Sequence, residues 1–596
     1  MRKRCLFLLF FLLLISPLGS TGINKKVRPV NGILLPRIGF PVFIEPNSTF
    51  EVLLVGRVEE IRPLLENDLR SYELSVEETS YNISENLTYL AIHAGNIDPG
   101  LYSLIIESEK GVFREPNCVS VKESWNQPLT VFWVSDTHYD NSKGQLHLAA
   151  RFRRHIWATN FFSPDFAIIT GDVCNNPPEG LFIGAYHELM NLQFPIVLIP
   201  GNHDHSLKGD FFTKYLGPSN ASLDVGPVHI ICLDTGPGSL SGNITKDQKE
   251  WLIKDLESAI EKPVKILLIH HPLFTIWNTT EVSVREIMEI LVKYNVTMVL
   301  SGHMHENYVF EDPLLLITNP NSYGRGVGRA LPGFRIFEIT PSGEITWLKS
   351  IYEPIYLEEF EILVFQTNNG ESKGFSAYLH NGLSKKISGI FRVKMADARS
   401  LETEGGTIIQ VNRTRDGKYL VALQVELDPH QEKLVKIWAK EDKEPPYCVN
   451  MSKDIVYGAN ANVIWINVTA KDEVLGVKNV TFRYSVDNKT WNDVELIRLN
   501  EILFSGRFQI SKDVTEVCYS IEAEDIGGRI RTKEGKIELL SELAEEGKTK
   551  QVSVPLKLIA MLSLVLVIAI IIMSHIKKGG SIPEASIKNR EESPTS

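Results

Sequence analysis

Five histidines, two aspartates and one asparagine stand just after short apolar runs in this chain. They are Asp136 and His138, Asp172 behind Gly171, Asn202 and His203 behind Gly201, His270 ahead of Pro272, and His303 and His305 behind Gly302. Divalent metals of hard to borderline character take this mixture of carboxylate, amide oxygen and imidazole. A chain that gathers such donors at one edge of a sheet is built to hold metal beside a substrate.

The elements that must position these donors are readable from hydrophobic pattern. Val131–Val134, Phe166–Ile169, Ile196–Ile199, His229–Leu233, Ile266–Ile269 and Met298–Leu300 are short, nearly continuous apolar runs. That pattern predicts strands covered on both faces. Between them, helical periodicity predicts helices over Gln145–Phe162, Leu181–Leu192, Lys246–Ile260 and Val282–Tyr294. Thr245 followed by Gln248 forms a capping-box signature. The interval is 36 residues from Asp136 to Asp172 and 30 from Asp172 to Asn202, one strand-helix-strand step each. Asp172 is the natural bridge, since one carboxylate can offer an oxygen to each of two metals.

The succession Asp136-x-His138, Gly171-Asp172-x-x-Asn175, Gly201-Asn202-His203-Asp204, His270 and Gly302-His303-x-His305 resembles the calcineurin-like metallophosphoesterase family. The resemblance covers about 225 residues and implies a central α/β/β/α sandwich that hydrolyses phosphate monoesters or diesters through a hydroxide activated by two metals. It puts Asp136, His138 and His305 on one metal, and Asn202, His270 and His303 on the other, with Asp172 between them. His203 becomes the substrate-facing histidine, and Asn175 and Asp204 are candidates to orient it. Mixed nitrogen and oxygen donors suit Mn, Fe, Zn or Co better than Mg or Ca. His205, His271 and Tyr139 are read as pocket lining or structure. Cys174 reads as a buried filler, and Asp234, Thr235, Gln248, Trp251 and Leu252 as structural.

Outside this region the chain of 596 residues is too long for one core. Residues 1–22 read as a signal peptide, with a basic start, an apolar stretch and small residues. Residues 23–125 and 352–443 read as β domains, 126–351 as the phosphoesterase domain, and 444–540 as an immunoglobulin- or fibronectin-like sandwich. Residues 541–556 read as a stalk, 557–576 as one transmembrane helix and 577–596 as a cytoplasmic tail, oriented by Lys577 and Lys578. Twelve Asn-x-Ser/Thr sequons, all between signal and membrane segment, fit a glycosylated exterior.

The expected partners are a phosphate-ester substrate and a membrane, with the β-sandwiches as surfaces for protein or glycan contacts. A net charge of −11 argues against general nucleic-acid binding. Cys448 and Cys518 flank one β domain and are candidates for a disulfide. The competing reading is an adhesion or receptor ectodomain that keeps the phosphoesterase fold without activity.

Overall fold

The computed structural model describes residues 29–239, 241–276, 282–322, 331–458 and 460–539. The signal segment, the expected stalk, the expected transmembrane helix and the tail lie outside them. Among the described residues no helix is long and apolar enough to cross a membrane. The chain divides into two compact units, residues 1–512 with 518–536, and residues 513–517 with 537–596. In the second, the Leu539 N–H donates to Thr515 O at 2.9 Å.

Two six-stranded sheets form the centre of the first unit. One runs Ile196–Ile199, Phe166–Thr170, Leu129–Val134, Gly333–Ile339, Ile345–Trp347, with Ile355–Tyr356 also pairing with Gly333–Ile339. Its first three strands are parallel. The other runs Ala221–Val225, Val228–Cys232, Val264–Leu268, Met298–Ser301, Leu315–Thr318, Tyr308–Phe310, with the middle four parallel.

Successive side chains of a strand point to opposite faces, so each strand feeds two cores. Val131, Trp133, Phe166, Ile168, Ile230, Ile266 and Leu300 fill the layer between the sheets. Phe132, Val134, Ala167 and Ile169 face outward under helices Leu146–Phe162 and Glu179–Leu189. On the far side, Ile231, Leu267 and Val299 lie under helices Lys246–Ser258 and Val284–Lys293. Four layers, helix, sheet, sheet, helix, result, and double coverage explains why the strands read as unbroken apolar runs. The Thr245 cap forms as its spacing predicts: its hydroxyl accepts the Gln248 N–H at 3.2 Å, and Gln248 Oε1 accepts the Thr245 N–H at 2.9 Å.

Paired sheets flank this centre. Before it, strands between Ile33 and Val121 form a four-stranded and a five-stranded sheet around a core that includes Val52, Leu90 and Leu104. After it, strands between Phe360 and Trp438 form another pair. That second pair shares its core with the α/β layers: Phe161 packs on Phe360 and Phe391 at ring separations of 5.7 and 5.2 Å. Burying each such ring is worth roughly 2–3 kcal/mol, so the two regions support one another.

The strands from Cys448 onward form two further sheets. Cys518 is a free thiol there, and the side chain of Cys448, its expected partner, lies outside the described ones. The two residues sit on strands of different sheets, Cys448–Val456 and Glu516–Asp525.

Candidate metal centre

Each predicted donor lies just beyond the C-terminal end of a central strand. The loops carrying them are stitched to each other: the N–H groups of Asp136, His138 and Tyr139 donate to Gly171, Asp172 and Val173 carbonyls at 3.1, 2.8 and 2.7 Å. On the second sheet the Gly302 N–H donates to His270 O at 3.0 Å. Asp136, His138, Asp172, His303 and His305 all hold positive φ, between 44° and 69°. For residues with a Cβ this costs on the order of 1–3 kcal/mol each and persists only where surrounding structure enforces it. The three motif glycines have a steric reason: a Cβ on Gly171 would overlap the His270 ring, one on Gly201 the Asp172 carboxylate, and one on Gly302 the Ser135 hydroxyl and Asp136.

Two groups of donors result. In the first, His138 Nε2 and His305 Nε2 stand 3.2 Å apart, with His305 Nε2 3.3 Å from Asp136 Oδ1 and His138 Nε2 3.5 Å from Asp172 Oδ2. Asp136, His138, Asp172 and His305 each offer an atom within 4.8 Å of the others. In the second, Asn202 Oδ1 lies 3.1 Å from His270 Nε2 and 3.0 Å from His303 Nδ1, while His270 Nε2 lies 3.3 Å from Asp172 Oδ2. Asp172 joins the groups through one oxygen rather than two. Its Oδ2 faces both His138 and His270, while Oδ1 accepts the backbone N–H of His203 at 2.9 Å. The sequence allows one oxygen for each metal; here the loop backbone takes Oδ1.

The donor chemistry fits divalent cations. His270 commits Nδ1–H to Thr170 O at 2.9 Å, so its Nε2 lone pair meets two acceptors, Asp172 Oδ2 and Asn202 Oδ1. Burial alone would depress His270, yet Asp172 overrides it and lifts the imidazole to about 10, so a proton and a metal compete for one nitrogen. Burial pushes His138 and His303 down to about 4, which keeps them neutral ligands at pH 7. Burial also opposes ionisation of Asp136 and Asp172, but the facing imidazoles hold both below the usual carboxylate range.

The three residues expected to act beside the metals separate into different roles. His203 Nδ1 is 2.6 Å from the Asn175 carbonyl oxygen, which makes Nδ1–H the donor and leaves Nε2 for a substrate. Asn175 thus holds His203 through its backbone; its side chain donates instead to Asp140 Oδ2 at 3.0 Å. Asp204 serves backbone N–H groups. Its carboxylate accepts the N–H groups of Val173, Cys174 and Gly201 at 3.0, 2.9 and 2.9 Å, clamping the Asp172 and Asn202 loops. Burial, then Asp172, pushes it up to about 7.

The weaker candidates fall to structure. His271 uses one nitrogen on the Thr235 hydroxyl and the other on the Gly238 carbonyl. His205 pairs with Asp234 at 3.0 Å, and Gln248 Nε2 donates to Asp234 O at 2.6 Å. Tyr139, Cys174, Trp251 and Leu252 are buried core. Two contributors escaped the sequence reading although both flank the first motif. The Ser135 hydroxyl donates to Asp136 Oδ2 at 2.6 Å, and Asp140 anchors Asn175.

Residues 129–307 match the model of the calcineurin-like phosphoesterase family. A probable glycerophosphodiester phosphodiesterase GpdQ of Arcobacter nitrofigilis is 29% identical over 198 residues, covering 30% of this chain and 72% of that protein. A probable cyclic nucleotide phosphodiesterase of Vesicomyosocius okutanii is 24% identical over 223 residues, 36% of this chain and 94% of that protein. The 3',5'-cyclic adenosine monophosphate phosphodiesterase CpdA of Escherichia coli (strain K12) is 26% identical over 200 residues, 30% and 72% respectively. The layered α/β region is therefore a calcineurin-like metallophosphoesterase domain. The chain that carries it is an enzyme of the phosphoric-ester hydrolase class.

Proposed function

We propose that this chain binds two divalent cations and hydrolyses phosphodiesters outside the cytoplasm. The observation that carries the reading is the placement of Asp172 Oδ2 between His138 and His270, at 3.5 and 3.3 Å, with a complete donor group on either side. Asp136, His138, His305 and Asp172 would hold one cation, and Asn202, His270, His303 and Asp172 the other. Two such cations supply Lewis acidity that makes water a nucleophile near neutral pH and neutralises phosphate charge. The chain's own contribution is geometric and protonic. Asn175 O fixes the ring of His203, which meets the phosphate with Nε2 and stabilises or protonates the leaving oxygen.

Diesters are favoured over monoesters because the similar bacterial proteins carry phosphodiesterase names. The external location rests on the basic and apolar start, on the apolar segment 557–576 read as an anchor, and on the sequons. None of the sequon asparagines among the described residues is buried; Asn243, Asn295, Asn450 and Asn488 are exposed.

The test is hydrolysis of bis(p-nitrophenyl) phosphate and p-nitrophenyl phosphate by the full chain with Mn²⁺. Diester turnover that a chelator abolishes is expected. Equal inertness toward both esters at every Mn²⁺ concentration would leave the adhesion-module reading in its place.

A further inference from the structure

Away from the phosphoesterase centre, three aspartates from separate stretches meet where the chain passes from the strand Gln431–Trp438 to the strand Cys448–Val456. Asp442 lies in that connection, Asp472 follows the strand Ala461–Lys471, and Asp525 ends the strand Glu516–Asp525. All three are buried, and each offers an oxygen within 4.8 Å of the other two. Two are fixed by backbone. Asp472 Oδ2 accepts the N–H groups of Val474, Leu475 and Gly476 at 2.9, 3.0 and 3.1 Å, and Asp525 Oδ1 accepts the Arg529 N–H at 2.8 Å. The other Asp525 oxygen, Oδ2, accepts from the Arg529 guanidinium at 3.1 Å.

Asp442 is the anomaly. Its side chain is 5% exposed, yet Oδ2 has no hydrogen-bond partner. Arg529 is the cation paired with the cluster: its Nη1 is 3.1 Å from Asp525 Oδ2, but 3.7 Å from Asp442 Oδ2, beyond hydrogen-bonding reach. Three carboxylates against one guanidinium leave an excess of two negative charges in a buried place, which is costly without a counter-ion. The guanidinium is 31% exposed. The Asp472 loop is held in place by the preceding sheets, with Gln366 Nε2 donating to Asp472 O at 3.1 Å and the Lys373 N–H to Glu473 O at 3.0 Å. A cavity of about 620 Å³ reaches Asp442 and Asp472 from outside.

We propose that Asp442, Asp472 and Asp525 form a separate site for one hard divalent cation of the Ca²⁺ class, which joins the β region 360–438 to the strands that follow it. Three carboxylates with no nitrogen donor select for Ca²⁺ over the metals suited to the histidine-rich centre.

The test uses the chelator-treated full chain, titrated with Ca²⁺ by calorimetry and followed by thermal unfolding. Saturating Ca²⁺ is expected to raise the midpoint by about 3–5 °C. The rise should persist in Asp172→Ala, which disables the phosphoesterase centre. Asp442→Asn should weaken Ca²⁺ binding at least about tenfold while leaving Mn²⁺-dependent ester hydrolysis unchanged. If that variant fails to fold, Asp525→Asn serves the same purpose. Arg529→Gln, which removes the competing cation, should bind Ca²⁺ more tightly. Absence of any Ca²⁺-dependent shift in the unaltered chain, or undiminished binding in Asp442→Asn, would overturn the proposal.

Discussion

Two clusters of histidine and carboxylate sit on the central α/β layers, one at the N-terminal end of the strand Val228–Cys232 and one beyond the C-terminal ends of its neighbours, and they obey different rules. At the N-terminal end, His229 is clamped between Asp224 and Asp255, with Nδ1 and Nε2 at 2.8 and 2.9 Å from carboxylate oxygens. Each nitrogen has its acceptor, and the backbone of this strand is regular. Burial would depress His229, but Asp224 and Asp255 override it and raise the imidazole to about 9. At the C-terminal end, imidazole nitrogens face each other and face acceptors, and five of the backbone positions are strained. The first cluster is complete as it stands. The second leaves imidazole nitrogens facing one another and is a candidate site for cations.

The contrast predicts opposite consequences for substitution. The largest effect belongs to Asp172→Ala, with kcat down about 10³-fold or more and metal content reduced. Alanine keeps the positive φ and leaves His270 without its counter-charge, so a fall in thermal midpoint is expected alongside the metal loss; unchanged metal content would show that Asp172 is structural only. His203→Ala should retain both metals and lose about 10²–10⁴-fold in kcat. Metal loss in that variant, read by elemental analysis, would place His203 among the ligands.

His229→Gln should leave activity per folded molecule unchanged and lower stability at pH 7 by on the order of 2–3 kcal/mol. Because the folded pKa is raised, this contribution is fully present below about pH 6.5 and disappears as pH rises through about 9. Denaturant titrations of both proteins at pH 6, 8 and 10 check the sign. The smallest effect is expected from Asn175→Ala, less than about tenfold in kcat, since the carbonyl that holds His203 survives the change. A loss as large as that of His203→Ala would show that the Asn175 side chain acts on substrate.

Much of this was legible in the chain before its structure. Donors placed after apolar runs, the Thr245 cap and the alternation of strand and helix are local signals, and local signals survive into the fold. What could not be read was set by partners distant in sequence. The single-oxygen role of Asp172 depends on the His203 N–H, and Asp204 is occupied by Val173 and Cys174 rather than by the ring beside it. The common core of Phe161, Phe360 and Phe391 hides in two regions whose patterns look independent. Arg335, wholly buried, holds Asn319 and Asn307 at 2.7 and 2.6 Å near the His305 loop, although its position in an apolar strand gives no hint of it.

The central claim is that Asp172 joins two cations that drive ester hydrolysis. A titration of the metal-stripped full chain with Mn²⁺, following bis(p-nitrophenyl) phosphate hydrolysis and bound metal together, tests it most directly. The account predicts activity that saturates with two equivalents bound at the histidine-rich centre and stays absent in Asp172→Ala. Full activity in the stripped protein, or no turnover with both sites filled, would contradict it.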